Sequence, residues 1–168
     1  LRNKKIEGFN VTVPFKQDVI KYVDKLSDEA KLTKSVNTIV KRNNIIIGHN
    51  TDIQGFELAI RHAKFDLFGK KVLILGAGGV TPSIVVALQK LNVSDIVVSN
   101  RTRNKAEKIK NIFKNIKIIE WEEECQFDMV INATSLGLKK DDKINFNYDQ
   151  KNDNKIFYDV IYLSLIHI

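Results

Sequence analysis

KVLILGAGG, residues 71–79, is the stretch that decides how this chain folds. Val72, Leu73, Ile74 and Leu75 form a wholly apolar run. The run ends in Gly76-Ala77-Gly78-Gly79 and passes at once into a helix-like segment, Val80–Leu91. Strand, glycine turn and helix in that order make the phosphate cradle of a dinucleotide-binding unit. Gly76 permits the sharp turn, and Gly78 removes a side chain where a pyrophosphate must approach the backbone. The helix start adds free N–H groups and partial positive charge. Thr81 stands where a third small residue often sits, and Pro82 follows in the first helical turn, where its missing N–H is no loss. The same residues also suit a tight turn with no ligand. The pattern around them favours the cradle.

Downstream the pattern is regular. Asp95–Ser99 reads as a strand, Arg103–Lys114 as a helix with Ala106, Ile109 and Phe113 inward, and Ile116–Ile119, Met129–Asn132 and Ile156–Asp159 as strands. Strands alternating with helices of this length predict an α/β fold, a Rossmann-like parallel sheet with helices on both faces. Residues 139–155 are polar and read as a surface loop.

Upstream the style changes. Residues 8–13 read as a strand closed by Pro14, and Phe15–Val23 has apolar positions at helical spacing. Ser27 reads as the N-cap of a short helix, Asp28–Lys34. Val36–Val40 and Ile45–Ile47 flank Arg42-Asn43-Asn44 as a hairpin. A polar loop, Gly48-His49-Asn50-Thr51-Asp52, leads into a helix over Ile53–Lys64. The predicted organisation is part of a smaller α/β substrate domain over residues 1–52, a Rossmann-like dinucleotide-binding domain over 53–162, and a tail over 163–168.

The end of the second strand discriminates between dinucleotides. An acid there would bind the ribose 2′-hydroxyl of NAD and repel a 2′-phosphate. The chain reads Ser99-Asn100-Arg101-Thr102, with Lys105 one turn on. Arg101 can stack on and pair with a 2′-phosphate, so NADP(H) is favoured over NAD. The alternative is an exposed arginine at a strand end.

Composition bounds the rest. With 43% hydrophobic and 28% charged residues, the chain has the make-up of a soluble globular protein. No apolar run approaches the roughly 18 residues of a membrane span. The net charge of +7 comes from scattered lysines without a basic stripe or interleaved aromatics, which argues against nucleic acid. A single cysteine, Cys125, forms no internal disulfide and supports no cysteine metal site. The expectations are a cytoplasmic protein with no metal, no nucleic-acid partner and no membrane partner, with a homodimer as its one expected assembly.

Two upstream residues suit proton chemistry. Lys16, in NVTVPFK, and Asp52, before a helix, could together move the proton that accompanies hydride transfer at a carbonyl. By spacing alone they also read as a solvated lysine and an N-cap.

The run Asn10-Val11-Thr12-Val13-Pro14-Phe15-Lys16 resembles the catalytic-lysine motif of the shikimate dehydrogenase family. Val36-Asn37-Thr38, Gly48-His49-Asn50-Thr51-Asp52, Gly76-Ala77-Gly78-Gly79, Asn100-Arg101-Thr102, Asn132-Ala133-Thr134-Ser135-Leu136-Gly137 and Asp159-Val160-Ile161-Tyr162 follow in that family's order. The resemblance implies NADPH-dependent reduction of 3-dehydroshikimate to shikimate, on the route to chorismate and the aromatic amino acids. It makes Lys16 the catalytic acid/base and Asp52 its partner. Thr12 and Asn37 would also contact substrate, and Tyr162 would border it. Gly76, Ala77, Gly78, Gly79 and Val80 would hold the pyrophosphate, and Asn100, Arg101, Thr102 and Lys105 the 2′-phosphate. Thr134 and Ser135 would lie along the cofactor and Val160 near the nicotinamide, with Asp28 at a cofactor-side position. The family's Ser-x-Ser pair and its Gln-bearing helix have no counterpart here, and residues 163–168 do not match. A fragment lacking both outer pieces of the substrate domain is therefore expected. Alternatives are a quinate/shikimate dehydrogenase using NAD or NADP, and a remnant that binds NADP without turnover.

The remaining polar residues read as structural. His49 has no second ligand beside it, and His62 is a solvated helix residue. Glu122-Glu123-Glu124 should raise the Cys125 thiol pKa, and Trp121 should pack rather than stack on a ligand.

Overall fold

A computed structural model describes residues 6–137 and 155–161. The expected contact at Tyr162, the tail over 163–168 and nearly all of the polar loop lie outside them. The chain divides into two compact units, Leu1–Asp66 with Pro82–Lys90, and Leu67–Thr81 with Leu91–Ile168.

The second unit is built on KVLIL. Strand β5 (Lys71–Leu75) pairs in parallel with β6 (Asp95–Ser99) on one side and β8 (Met129–Asn132) on the other. Strand β7 (Lys117–Ile119) extends one edge and β9 (Ile156–Asp159) the other, so the order is β7-β6-β5-β8-β9, all parallel. Along the chain, helix α3 (Thr81–Lys90) lies between β5 and β6, and all of it after Thr81 groups with the first unit; α4 (Arg103–Ile112) connects β6 to β7 within the second. The expected parallel sheet flanked by helices is what the chain forms. Val72, Leu73, Ile74, Val98, Met129 and Ile131 lose essentially all solvent contact. A parallel sheet covered on both faces needs such unbroken apolar strands. Leu73, Leu75, Val97, Phe127 and Val130 form one cluster, against which Trp121 and Cys125 pack. Trp121 is thus a packing residue, as expected.

The strand order reverses direction in sequence between β5 and β8. Ligands of open α/β sheets bind outside the carboxyl ends of strands at such a switch point. The glycine turn after β5 and the loop after β8 both begin there.

The first unit holds a four-stranded sheet, in order β1 (Gly8–Asn10), β3 (Thr38–Arg42), β4 (Ile45–His49), β2 (Lys25–Leu26). β3 and β4 form the expected hairpin, turning on Asn43 and Asn44 at φ of 50° and 63°. Two consecutive left-handed residues match the twist of the flanking strands, and asparagine tolerates them best after glycine. Ser27 caps α1 (Asp28–Thr33) by accepting the Ala30 N–H at 3.2 Å, and Lys34 ends it in the left-handed region. Ala30, Val36, Ile39 and Ile46 form this unit's core. Helix α2 (Asp52–His62) buries Ile53, Phe56 and Ile60.

Two readings change here. β1 stops at Asn10, because the chain turns at Thr12–Phe15, where the Phe15 N–H bonds the Thr12 carbonyl. The helix expected over 15–23 shrinks to a 3-10 turn, Asp18–Tyr22, which leaves Phe15 and Tyr22 more than half exposed. The physical cause is the competing strand. Asp24 takes the Ile46 N–H on its carboxylate at 2.8 Å and gives its own N–H to the Ile46 carbonyl. That draws Lys25–Leu26 into parallel pairing with β4. Two residues are too few to show as a period in the sequence.

Candidate active site

In the first unit, three segments deliver one polar constellation. Lys16 leaves the turn after β1, and its carbonyl accepts the Val36 N–H at 2.8 Å, which pins it beside the start of β3. Asn37 immediately precedes β3. Asp52 opens α2, with Thr51 at the cap position.

The Lys16 ammonium donates to Asp52 Oδ2 at 2.7 Å. The Asn37 amide donates to Asp52 Oδ1 at 2.8 Å and to the Thr51 hydroxyl at 2.9 Å. Asn37 Oδ1 in turn accepts the Thr51 N–H at 2.9 Å. Both carboxylate oxygens are therefore held, one by a cation and one by an amide. The Lys16 and Asp52 side chains remain 12% and 21% exposed, enough for a ligand to reach them. Such an arrangement can hand a proton to a developing alkoxide and take it back. Asp52 is not an N-cap. It is the first helical residue, and its carboxylate faces Lys16 and Asn37. Asn37 spends its donors on Asp52 and Thr51. Thr12 is exposed, and Asp28 is an exposed residue of α1 paired with Lys31 at 3.0 Å.

In the second unit, Gly76 sits at φ 108°, and a Cβ there would stand 2.8 Å from the Ala133 carbonyl carbon and oxygen. The turn after β5 is thus wedged against the loop after β8. Thr81 closes the turn from within, its buried hydroxyl donating to the Gly76 carbonyl at 3.0 Å. Gly78 differs. Among the described residues, a Cβ there meets no atom closer than 3.8 Å, so the outer side of the turn is open. A cradle that a side chain would fill, at a switch point and before a helix, fits a dinucleotide pyrophosphate.

Asn100 braces this cradle. Its Oδ1 accepts the Ala77 N–H at 3.0 Å, and its Nδ2 donates to the Thr102 carbonyl at 2.8 Å. Arg101, Thr102 and Lys105 are exposed beyond it, with no acid between Ser99 and Lys105. The charge and the open surface fit a 2′-phosphate. In the loop after β8, the Thr134 hydroxyl donates to Asn132 Oδ1 at 2.7 Å and accepts the Leu136 N–H at 3.0 Å. Asn132 also donates to Asp159 at 3.2 Å, which joins that loop to the end of β9. Ser135 is exposed and Val160 half-buried.

Thr51, Asn132 and Asp159 stand within the quoted motifs, but nothing in the spacing gives them these bonding roles, and nothing marks Ser83. Their signal is burial or pairing between segments distant in sequence, which only the fold creates.

Burial pushes the Cys125 thiol above its ordinary value, Glu123 adds to the effect, and Lys155 opposes it. The expected direction holds, with burial rather than acidic neighbours as the larger cause. Iodoacetamide should therefore label Cys125 severalfold more slowly at neutral pH than a cysteine in an unstructured peptide. The rate should rise as the pH passes the ordinary thiol range. Labelling as fast as the peptide's would contradict the burial.

Residues 57–160 match the family described as shikimate / quinate 5-dehydrogenase, and residues 1–39 match the shikimate dehydrogenase substrate binding domain. A curated shikimate dehydrogenase (NADP(+)) from Pelagibacter ubique is 53% identical over 162 residues, covering 96% of this chain and 61% of that protein. The crystal structure of shikimate dehydrogenase from Aquifex aeolicus superposes with a TM-score of 0.89 at 35% identity, over 96% of this chain and 60% of that one. The shikimate 5-dehydrogenase from Thermus thermophilus, solved in complex with NADP(H) and shikimate, gives a TM-score of 0.83 at 26% identity, over 95% of this chain and 60% of that one. The chain spans about three fifths of the length of these relatives.

Proposed function

The chain belongs to the shikimate/quinate dehydrogenase family, and on that premise we propose that it carries out NADPH-dependent reduction of 3-dehydroshikimate to shikimate in the cytoplasm. The observation that carries this reading is the 2.7 Å pair of Lys16 and Asp52, fixed by Asn37, on a chain that also holds an open glycine cradle.

In this proposal, residues 1–52 carry the substrate side and residues 53–162 the cofactor side. Bound NADPH supplies the hydride. Lys16 gives its proton to the oxygen of the ketone as that carbonyl becomes a hydroxyl, and Asp52 holds the ammonium on line. Thr12 and Asn37 contact the ring substituents, Asn37 by turning to the substrate the donor that otherwise holds the Thr51 hydroxyl, and Tyr162 borders the ring. A polyhydroxylated ring acid suits such polar partners, and a site built on them rejects analogues lacking a hydroxyl. Gly76 to Val80 seat the pyrophosphate, with Asn100 acting mainly by bracing Ala77. Arg101, Thr102 and Lys105 take the 2′-phosphate, and Thr134, Ser135 and Val160 line the rest of the cofactor.

The test is NADPH oxidation followed by the loss of its absorbance with 3-dehydroshikimate present. Binding of NADPH without turnover would leave the cofactor-binding remnant as the correct reading. Arg101→Ala should weaken NADPH by about tenfold or more while changing NADH little, because a charge-assisted pair to phosphate is lost. Equal losses for both would refute the 2′-phosphate assignment.

A further inference from the structure

Next to Asp52 lies a buried polar cluster that the proposed chemistry does not use. Asn50 is 6% exposed, and Thr33, Ser35 and Ser83 are all 0% exposed. Asn50 Nδ2 lies 3.1 Å from the Thr33 hydroxyl, 3.1 Å from the Ser35 carbonyl and 2.9 Å from the Ser83 hydroxyl. Asn50 Oδ1 accepts the Asp52 backbone N–H at 3.1 Å and lies 3.3 Å from Ser83 Oγ. The partners determine which way the amide points. Reversed, it would face the Ser35 carbonyl with its oxygen and the Asp52 N–H with its own donors.

A turn before a helix needs only one acceptor for an orphan N–H, and an exposed Ser, Thr or Asp side chain supplies it cheaply. Here a whole amide and two hydroxyls are taken out of water for that contact. A buried polar network of this kind is costly unless satisfied, and once satisfied it rigidifies what it touches. What it touches is the first residue of α2, whose carboxylate receives the Lys16 ammonium.

We propose that Asn50, locked by Ser83, is a positioning residue for Asp52 in the proton transfer. Ser83 lies in the first turn of α3, the helix that leads out of the glycine turn. The orientation of Asp52 is thereby tied to that helix, through Asn50, rather than to the loop alone. The role rests on the proposed function.

The test is a set of variants in the full chain. Ser83→Ala should lower kcat about tenfold and Asn50→Ala about a hundredfold, the scale expected for a sub-ångström to 1 Å displacement of a catalytic group. KM for NADPH should stay unchanged, and hydrogen exchange at the Asp52 amide should quicken in both. Asn50→Ser keeps an acceptor two residues before Asp52 and should recover part of the loss. In an Asp52→Asn background, Ser83→Ala should cost nothing further, since residues acting as one unit are non-additive.

An undiminished kcat in Ser83→Ala overturns the proposal. So does the same fractional loss in the Asp52→Asn background, which would mark a general structural defect. If Asn50→Ala fails to fold, Ser83→Ala carries the test alone. A parent protein that never turns over refutes the functional reading itself, and this role with it. A parent that turns over beside variants that do so equally well refutes only the positioning role of Asn50 and Ser83.

Discussion

Lys16→Ala is expected to lower turnover of 3-dehydroshikimate by about a thousandfold, the middle of the range for loss of a positioned general acid. NADPH affinity should stay within about twofold, because the cofactor's contacts in the proposal are all made by other residues. The geometry explains why no neighbour substitutes. Asp52 Oδ2 faces the ammonium at 2.7 Å, and Asp52 Oδ1 is engaged by Asn37, whose amide has no proton to give at neutral pH. Lys16→Arg should not rescue, since a guanidinium stays protonated and is wider than an ammonium. Steady-state kinetics together with NADPH titration by fluorescence would check this. Near-normal turnover in Lys16→Ala would remove the lysine from the mechanism.

The second large effect separates two glycines two positions apart in one motif. Gly76→Ala should destabilise the protein by about 3 kcal/mol, combining an unfavourable left-handed backbone with overpacking. For a chain of this size that is a fall of about 10 °C in Tm. The added Cβ would stand 2.8 Å from backbone atoms of Ala133, which cannot swing aside as a side chain could. Gly78→Ala should leave Tm within about 2 °C, because its Cβ meets nothing among the described residues closer than 3.8 Å, and should instead weaken NADPH about tenfold or more. Thermal unfolding with and without NADPH reads both. A Gly78 variant that binds NADPH normally would mean that the cofactor does not approach the turn there. A Gly76 variant as stable as the parent would contradict the close packing of the two loops.

The second unit was legible because its signals are local. Unbroken apolar strands, a glycine turn and intervening helices each declare themselves within about ten residues, and β5, β6, β8 and β9 fall within a residue of where the pattern puts them. The first unit was harder. β2 is two residues held by a bond from Asp24 to the backbone of Ile46, twenty-two positions away. The apolar spacing of Phe15, Val19, Tyr22 and Val23 imitates a helix, yet only the 3-10 turn forms. Local periodicity cannot report a competition that a distant strand wins.

The site divides along the same line. Lys16, Asp52, Gly76, Gly78 and Arg101 stood out from the sequence alone, since each has a chemical type in a recognisable local context. Tertiary structure decided what their neighbours do. Asn100 turned out to brace the glycine turn, Asn37 to hold a carboxylate, and Asn50 and Ser83 to meet in the core across thirty-three positions. An asparagine carries the same letter whether it is solvated, structural or bound to a ligand. Which of these it becomes depends on the groups that folding brings to its two ends, and no stretch of sequence around it records them.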